Sequence, residues 1–146
     1  MTPMLVNLAL GTFVIALTVI IHTWGLIAVT HMMRVLTARF RVHGHRSRTL
    51  AMVTTVIGIF AIMTVEVWLW AAFHLGLGVF GDFETALYFS TVTFSTLGYG
   101  DVVPAAEWRL FAALEGVNGF LLIGWSTAYL VAAGVRIGPF QTGEHF

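Results

Sequence analysis

The stretch FSTLGYGDVVP, residues 94–104, sets a glycine on either side of a tyrosine and follows them with an aspartate and a proline. It lies in a 146-residue chain that is 58% hydrophobic and has few other places for polar, conformationally free backbone. Gly98 and Gly100 take positive φ at little steric cost. What such a loop does depends on the elements around it.

Those elements are apolar. Only 10% of the residues are charged, against about 25% in an ordinary soluble domain, so the composition is that of an integral membrane protein. Seven acids balance seven basic residues, all of them arginine, and the neutral total favours neither nucleic acid nor an anionic partner. Cysteine is absent, which excludes disulfides, thiolate metal sites and thiol catalysis. The start, MTPMLVNLAL, lacks the positive region of a secretory signal, so the first apolar segment is expected to remain as a spanning helix.

A bilayer crossing needs roughly 20 mostly apolar residues. Three segments qualify: Leu5 to Met33, Leu50 to Leu77 with Glu66 inside it, and Leu110 to Val135 with Glu115 inside it. Phe83 to Ser95 is about half that length, and in a membrane protein it reads as a re-entrant half-helix. Asp82 before it is an N-cap candidate, and Glu84 falls in a first turn, where the helix dipole favours negative charge. With no internal repeat or linker, the expected fold is an all-α membrane protein of three transmembrane helices plus a re-entrant helix and loop.

Arg34, Arg39, Arg41, Arg46 and Arg48 follow the first span closely, and such an excess marks a cytoplasmic connection. This puts the N-terminus outside and the C-terminus in the cytoplasm, with the half-helix and TLGYGDVVP entering from outside. The outer connections carry Asp82, Glu84, Asp101 and Glu107 against Arg109 alone, so the outer mouth concentrates cations. Irregular backbone at membrane depth must be buried in protein or line a watery path. A loop with positive-φ glycines at 98 and 100 suits the second role: its carbonyls, with the Thr96 hydroxyl, can replace the hydration shell of a cation. Tyr99 would turn its ring back into the surrounding protein.

TLGYGD, Thr96 to Asp101, resembles the selectivity filter of the tetrameric potassium channel family, whose usual form is TVGYG, with Leu97 in place of the valine. The similarity extends through ALYFSTVTFSTLGYGDVVP, residues 86–104, as pore helix, filter and outer mouth in order, and more loosely from Glu66 to Tyr129. The chain looks like a small bacterial, pore-only member with an extra N-terminal helix. The resemblance implies a potassium-selective channel, not an enzyme, in the cell (inner) membrane, assembled as a homotetramer among lipids with no nucleic acid and no cofactor beyond filter potassium ions. It divides the chain into an N-terminal transmembrane helix (1–35), a cytoplasmic arginine-rich loop (36–49), a pore domain (50–136) and a cytoplasmic tail (137–146). Potassium ligands would be the carbonyls of Thr96, Leu97, Gly98 and Tyr99, with Gly100 and Asp101 completing the filter. A weakly selective monovalent cation channel and a non-conducting membrane subunit are the alternatives. Secondary transport is disfavoured because transporters usually show internal repeats.

The resemblance also assigns supports to the filter. Tyr88 and Phe89 match an aromatic pair behind the filter tyrosine, with Tyr88 donating toward Asp101; simple apolar packing fits Phe89 equally. Val92 stands where some members carry a glutamate bonded to the filter aspartate, so that brace is missing, and Ser95 adjoins the filter. Glu66 and Glu115 are ionisable groups at membrane depth and hence functional-site candidates. They are expected in the outer half, supporting the pore helix or filter backbone by hydrogen bonds, with or without an effect on gating. Asn118 either faces the ion cavity or bonds a neighbouring helix. Gly116, Gly119 and Gly124 are hinges or points of close helix contact, the latter slightly favoured.

The histidines carry less. His43 and His45 have no visible third metal ligand and fit a solvated basic loop better. His22 and His31, nine residues apart, fall on opposite helix faces, and His74 reads as an interface residue. No span carries the regularly spaced arginines of a voltage sensor, and the residues after Arg136 are too few for an attached ligand-binding domain. The first span is expected to pack outside the pore and brace the second.

Overall fold

The computed structural model of the protein describes residues 3–39 and 45–137. It contains α1 (Pro3–Arg39), α2 (His45–Gly76), α3 (Phe83–Phe94), a single 3-10 turn (Ala106–Trp108) and α4 (Arg109–Ile137), with no strand among the described residues. Three helices are long and apolar enough to cross a membrane, over Met4–Leu36, Thr49–Gly76 and Ala106–Arg136. Helix α1 continues to Arg39 and α2 begins at His45, so the connection expected over 36–49 is helical at both margins. Polar side chains end the apolar segment without ending the helix. His43 and the tail 138–146 lie outside the described residues, as do the side chains of His45, Arg39, Arg41, Arg46 and Arg48.

In α1 the buried positions are Asn7, Gly11, Val14, Thr18, His22, Leu26, Val29 and Met33. They recur at spacings of three and four and so form one stripe. This stripe is small and polar over half its length, while Phe13, Ile20, Trp24 and Ile27 are more than half exposed on the opposite side. That is the arrangement a bilayer favours, because lipid solvates large apolar side chains and polar groups must find partners in the protein. In α2 the matching stripe is Ala51, Thr55, Ile59, Ile62, Glu66, Trp70 and His74.

Helix α1 packs against both α2 and α4. It lies along α2, as a brace of that helix would, and is seated against α4 as well. The cause is its polar stripe. Asn118 on α4 donates to the Thr18 hydroxyl at 2.8 Å, Asn7 donates to the Glu107 carbonyl at 2.7 Å, and the Thr30 and Tyr129 hydroxyls meet at 2.7 Å. Close approach is permitted by glycine: a Cβ on Gly11 would fall 2.4 Å from Leu114, one on Gly25 2.6 Å from Ile62, and one on Gly58 2.7 Å from Val29.

Helix α3 is short, and its start is capped as anticipated. Asp82 has extended backbone and accepts from the Thr85 amide at 2.8 Å. That bond holds the exposed Asp82 carboxyl below its usual range. The helix buries Ala86, Phe89, Ser90, Val92 and Phe94 against α2 and α4. Phe94, with Val14, Trp70, Phe111 and Leu122, forms a cluster drawn from all four helices, which fixes where α3 ends and the loop begins.

Candidate functional site

The loop is built from its backbone outward. Thr96, Gly98 and Gly100 have φ of 61°, 57° and 76°, and between them Leu97 and Tyr99 do not share the positive sign. Alternation of left- and right-handed residues turns successive peptide groups to one side of the chain. For a β-branched residue such as Thr96 positive φ is an outlier, costing on the order of 1–3 kcal/mol and persisting only where the surroundings enforce it.

The enforcement is visible in the amides. Thr96 N–H donates to Thr93 O at 3.0 Å, Leu97 N–H to Val92 O at 3.0 Å and Gly98 N–H to Val92 O at 3.1 Å. The Ser95 hydroxyl adds a bond to Val92 O at 3.3 Å. The Val92 and Thr93 carbonyls in the last turn of α3 are thus satisfied by the loop, and the amides of Thr96, Leu97 and Gly98 are committed backward. Its carbonyls accept no hydrogen bond among the described residues and remain available for another ligand.

Behind the loop, the Tyr88 hydroxyl donates to Asp101 Oδ2 at 2.6 Å. The bond holds the Asp101 carboxyl below its usual range and raises the Tyr88 phenol above its own. A cavity of about 170 Å³ separates loop from helix, lined among others by Phe89, Val92, Gly98, Gly100 and Asp101. Val92 offers Asp101 no bond there. Phe89 packs edge-on against His74 at 5.2 Å and against Phe80 at 4.9 Å, so its ring serves the α2–α3 contact. Leu97 and Tyr99 are 56% and 69% exposed in the single chain: nothing in one copy covers the tyrosine ring expected to be held from behind.

Glu66 and Glu115 are fully buried, but their partners differ from those expected. Glu66 Oε1 lies 2.9 Å from His22 Nδ1 on α1, and Glu115 Oε2 lies 2.8 Å from His74 Nε2 on α2. Neither carboxylate bonds loop backbone; Glu115 approaches α3 only through His74, whose ring packs edge-on against Phe89. His74, expected at an interface with water or lipid, is fully buried, and His31 is exposed opposite the buried His22. His22 also has Ser126 Oγ at 3.4 Å from Nε2 and the Trp125 ring at 5.2 Å. The two histidine–glutamate pairs escaped the sequence because their members are 44 and 41 residues apart.

On α4 the candidates separate. Asn118 is buried and bonded to Thr18, so its helix-contact role holds and the cavity-facing one is corrected. A Cβ on Gly119 would meet the Phe94 carbonyl oxygen at 2.0 Å, one on Gly116 would touch Thr93 at 3.8 Å, and one on Gly124 would meet nothing within 4 Å. Gly119 is a close contact beneath the end of α3, whereas Gly124 is free to bend.

No curated protein and no solved structure matches the chain. A family model described as an ion channel matches residues 60–136, a span that takes in most of α2, all of α3, the loop and nearly all of α4. That is more than half of the 146 residues, and it coincides with the helix–loop–helix unit around residues 94–104: the chain belongs to the ion channel family.

Proposed function

We propose that the protein is a potassium-selective channel whose filter is formed by Thr96 to Asp101, with the carbonyls of Thr96, Leu97, Gly98 and Tyr99 as potassium ligands. The observation that carries the proposal is the alternation of φ at Thr96, Gly98 and Gly100, with the amides committed to α3 and the carbonyls left over. Stacked carbonyls replace the water around a desolvated cation, and the carbonyl end of α3, negative by its dipole, faces the same region. One loop contributes a single wall, so four copies are needed to surround the path; the exposed Tyr99 and Leu97 then meet neighbouring chains. In this reading the pore lies in the cell (inner) membrane with the N-terminus outside and the loop opening outward, as the arginines after α1 favour.

Leu97 supports a second reading, a weakly selective cation channel, because a bulkier side chain alters packing around one carbonyl layer. Purified protein in planar bilayers, with potassium opposed to sodium, separates the two. A reversal at the potassium equilibrium potential is expected. One near zero supports the second reading, and a silent bilayer sinks both.

A further inference from the structure

At the arginine-bearing end of the fold, two adjoining cavities open between α1 and α4. The larger, about 410 Å³, runs along Leu26, Ile27 and Trp125 and ends at Arg34. The smaller, about 220 Å³, lies between Arg34 and Arg136. Thr30 and Tyr129 line both, and their mutual hydrogen bond forms the common floor. Within the hydrocarbon layer a concave wall of this composition holds few partners for water, so an acyl chain is its natural filling. At the rim the chemistry reverses. Arg34 and Arg136 both line the smaller cavity, and two positive charges at one opening favour an anion there. The planar donor fork of arginine matches phosphate oxygens in pairs, and basic pockets between spanning helices suit phospholipid headgroups.

We propose that this groove binds one anionic phospholipid per chain, its phosphate between Arg34 and Arg136 and an acyl chain along Leu26, Ile27 and Trp125. The groove depends on α1, which lies wholly before the matched segment 60–136. The lipid would cement α1 to α4 beside the Thr30–Tyr129 hydrogen bond.

The test measures lipid retention by native mass spectrometry of the purified full chain, offered phosphatidylglycerol, phosphatidylcholine or inorganic phosphate. Phosphatidylglycerol is expected to bind in preference to phosphatidylcholine by roughly thirtyfold, two arginines each adding about 1 kcal/mol. The double variant Arg34→Gln/Arg136→Gln is expected to lose that preference while eluting at the wild-type size. In vesicles, brominated phosphatidylglycerol should quench the wild type more than it quenches Trp125→Phe. Equal binding of the two lipids, inorganic phosphate binding as tightly as phosphatidylglycerol, or a preference that survives in the double variant overturns the proposal. Brominated lipid that quenches wild type and Trp125→Phe alike also overturns it, and would be the result if a second copy of the chain covered the groove. Should the double variant fail to fold, the wild-type comparisons decide. No readout involves ion current, so the outcome is separate from that of the selectivity proposal.

Discussion

Asp101 and Tyr88 show how one hydrogen bond can set the pH range of the proposed filter. The Asp101 carboxyl is held low, so the stabilisation it supplies is present above the unfolded-state value and is lost as pH falls through the lowered folded value. The Tyr88 phenol is raised, so its contribution persists until alkaline pH exceeds that raised value. The brace therefore spans neutral pH and fails at both extremes. Tyr88→Phe should remove it at every pH, and patch recordings should show faster decay of current with an unchanged reversal potential; a decay identical to wild type would exclude the brace as a support. Gly119 sits under the Phe94 carbonyl with no room for a methyl group, so Gly119→Ala must displace backbone. A loss of about 1–3 kcal/mol is expected from such overpacking, read as a lower midpoint of thermal unfolding in detergent. Gly124→Ala, which meets nothing, should leave that midpoint within error and reduce open probability if α4 bends there. Of these residues Tyr88 was legible from sequence, through its resemblance to one of an aromatic pair behind the loop and because a phenol at depth needs a partner. Gly119 and Gly124 were not distinguishable, because what a glycine faces depends on the neighbouring helix.

At the scale of the element, α1 behaves as part of the channel unit and not as an appendage. Its polar links reach the 3-10 turn through Asn7, α4 through Thr18 and α2 through His22. The His22–Glu66 pair is fully buried, and removing one member of such a pair leaves an uncompensated polar group. His22→Leu or Glu66→Leu alone should each cost about 3–5 kcal/mol, while the double substitution should recover most of that loss. A thermal-stability double-mutant cycle checks this; additive losses would show that the two side chains do not depend on each other. The effect on conduction is a separate question. Current through Glu66→Gln and Glu115→Gln across pH answers it, and the closer tie of Glu115 to α3, through His74 and the Phe89 ring packed on it, leads us to expect the larger change there.

At the scale of the whole molecule, one chain leaves its most characteristic surface uncovered. Tyr99 is 69% exposed, and Val117, Phe120 and Leu121 form an exposed apolar face on α4. Four copies around an axis through the loops would cover the filter side chains and part of that face. Light scattering of the detergent-solubilised protein, corrected for detergent, should give four times the 16.0 kDa of one chain. A monomer or dimer would rule out the proposed pore, since fewer loops cannot enclose the ion.

The sequence by itself determined the three spans, the half-helix with its Asp82 cap, and the loop at residues 94–104. Those features are local: apolar length, a capping oxygen next to its amides, and glycines where positive φ is required are written within a few residues of one another. Tertiary structure alone decided that α1 is seated between α2 and α4, that Glu66 and Glu115 answer to His22 and His74, that Asn118 bonds Thr18, and which α4 glycine is crowded. The polar pairs join residues 41 or more positions apart, and the crowded glycine meets a different helix. In a bilayer, where apolar side chains gain little by leaving lipid, such distant polar and small-residue contacts choose how the helices pack.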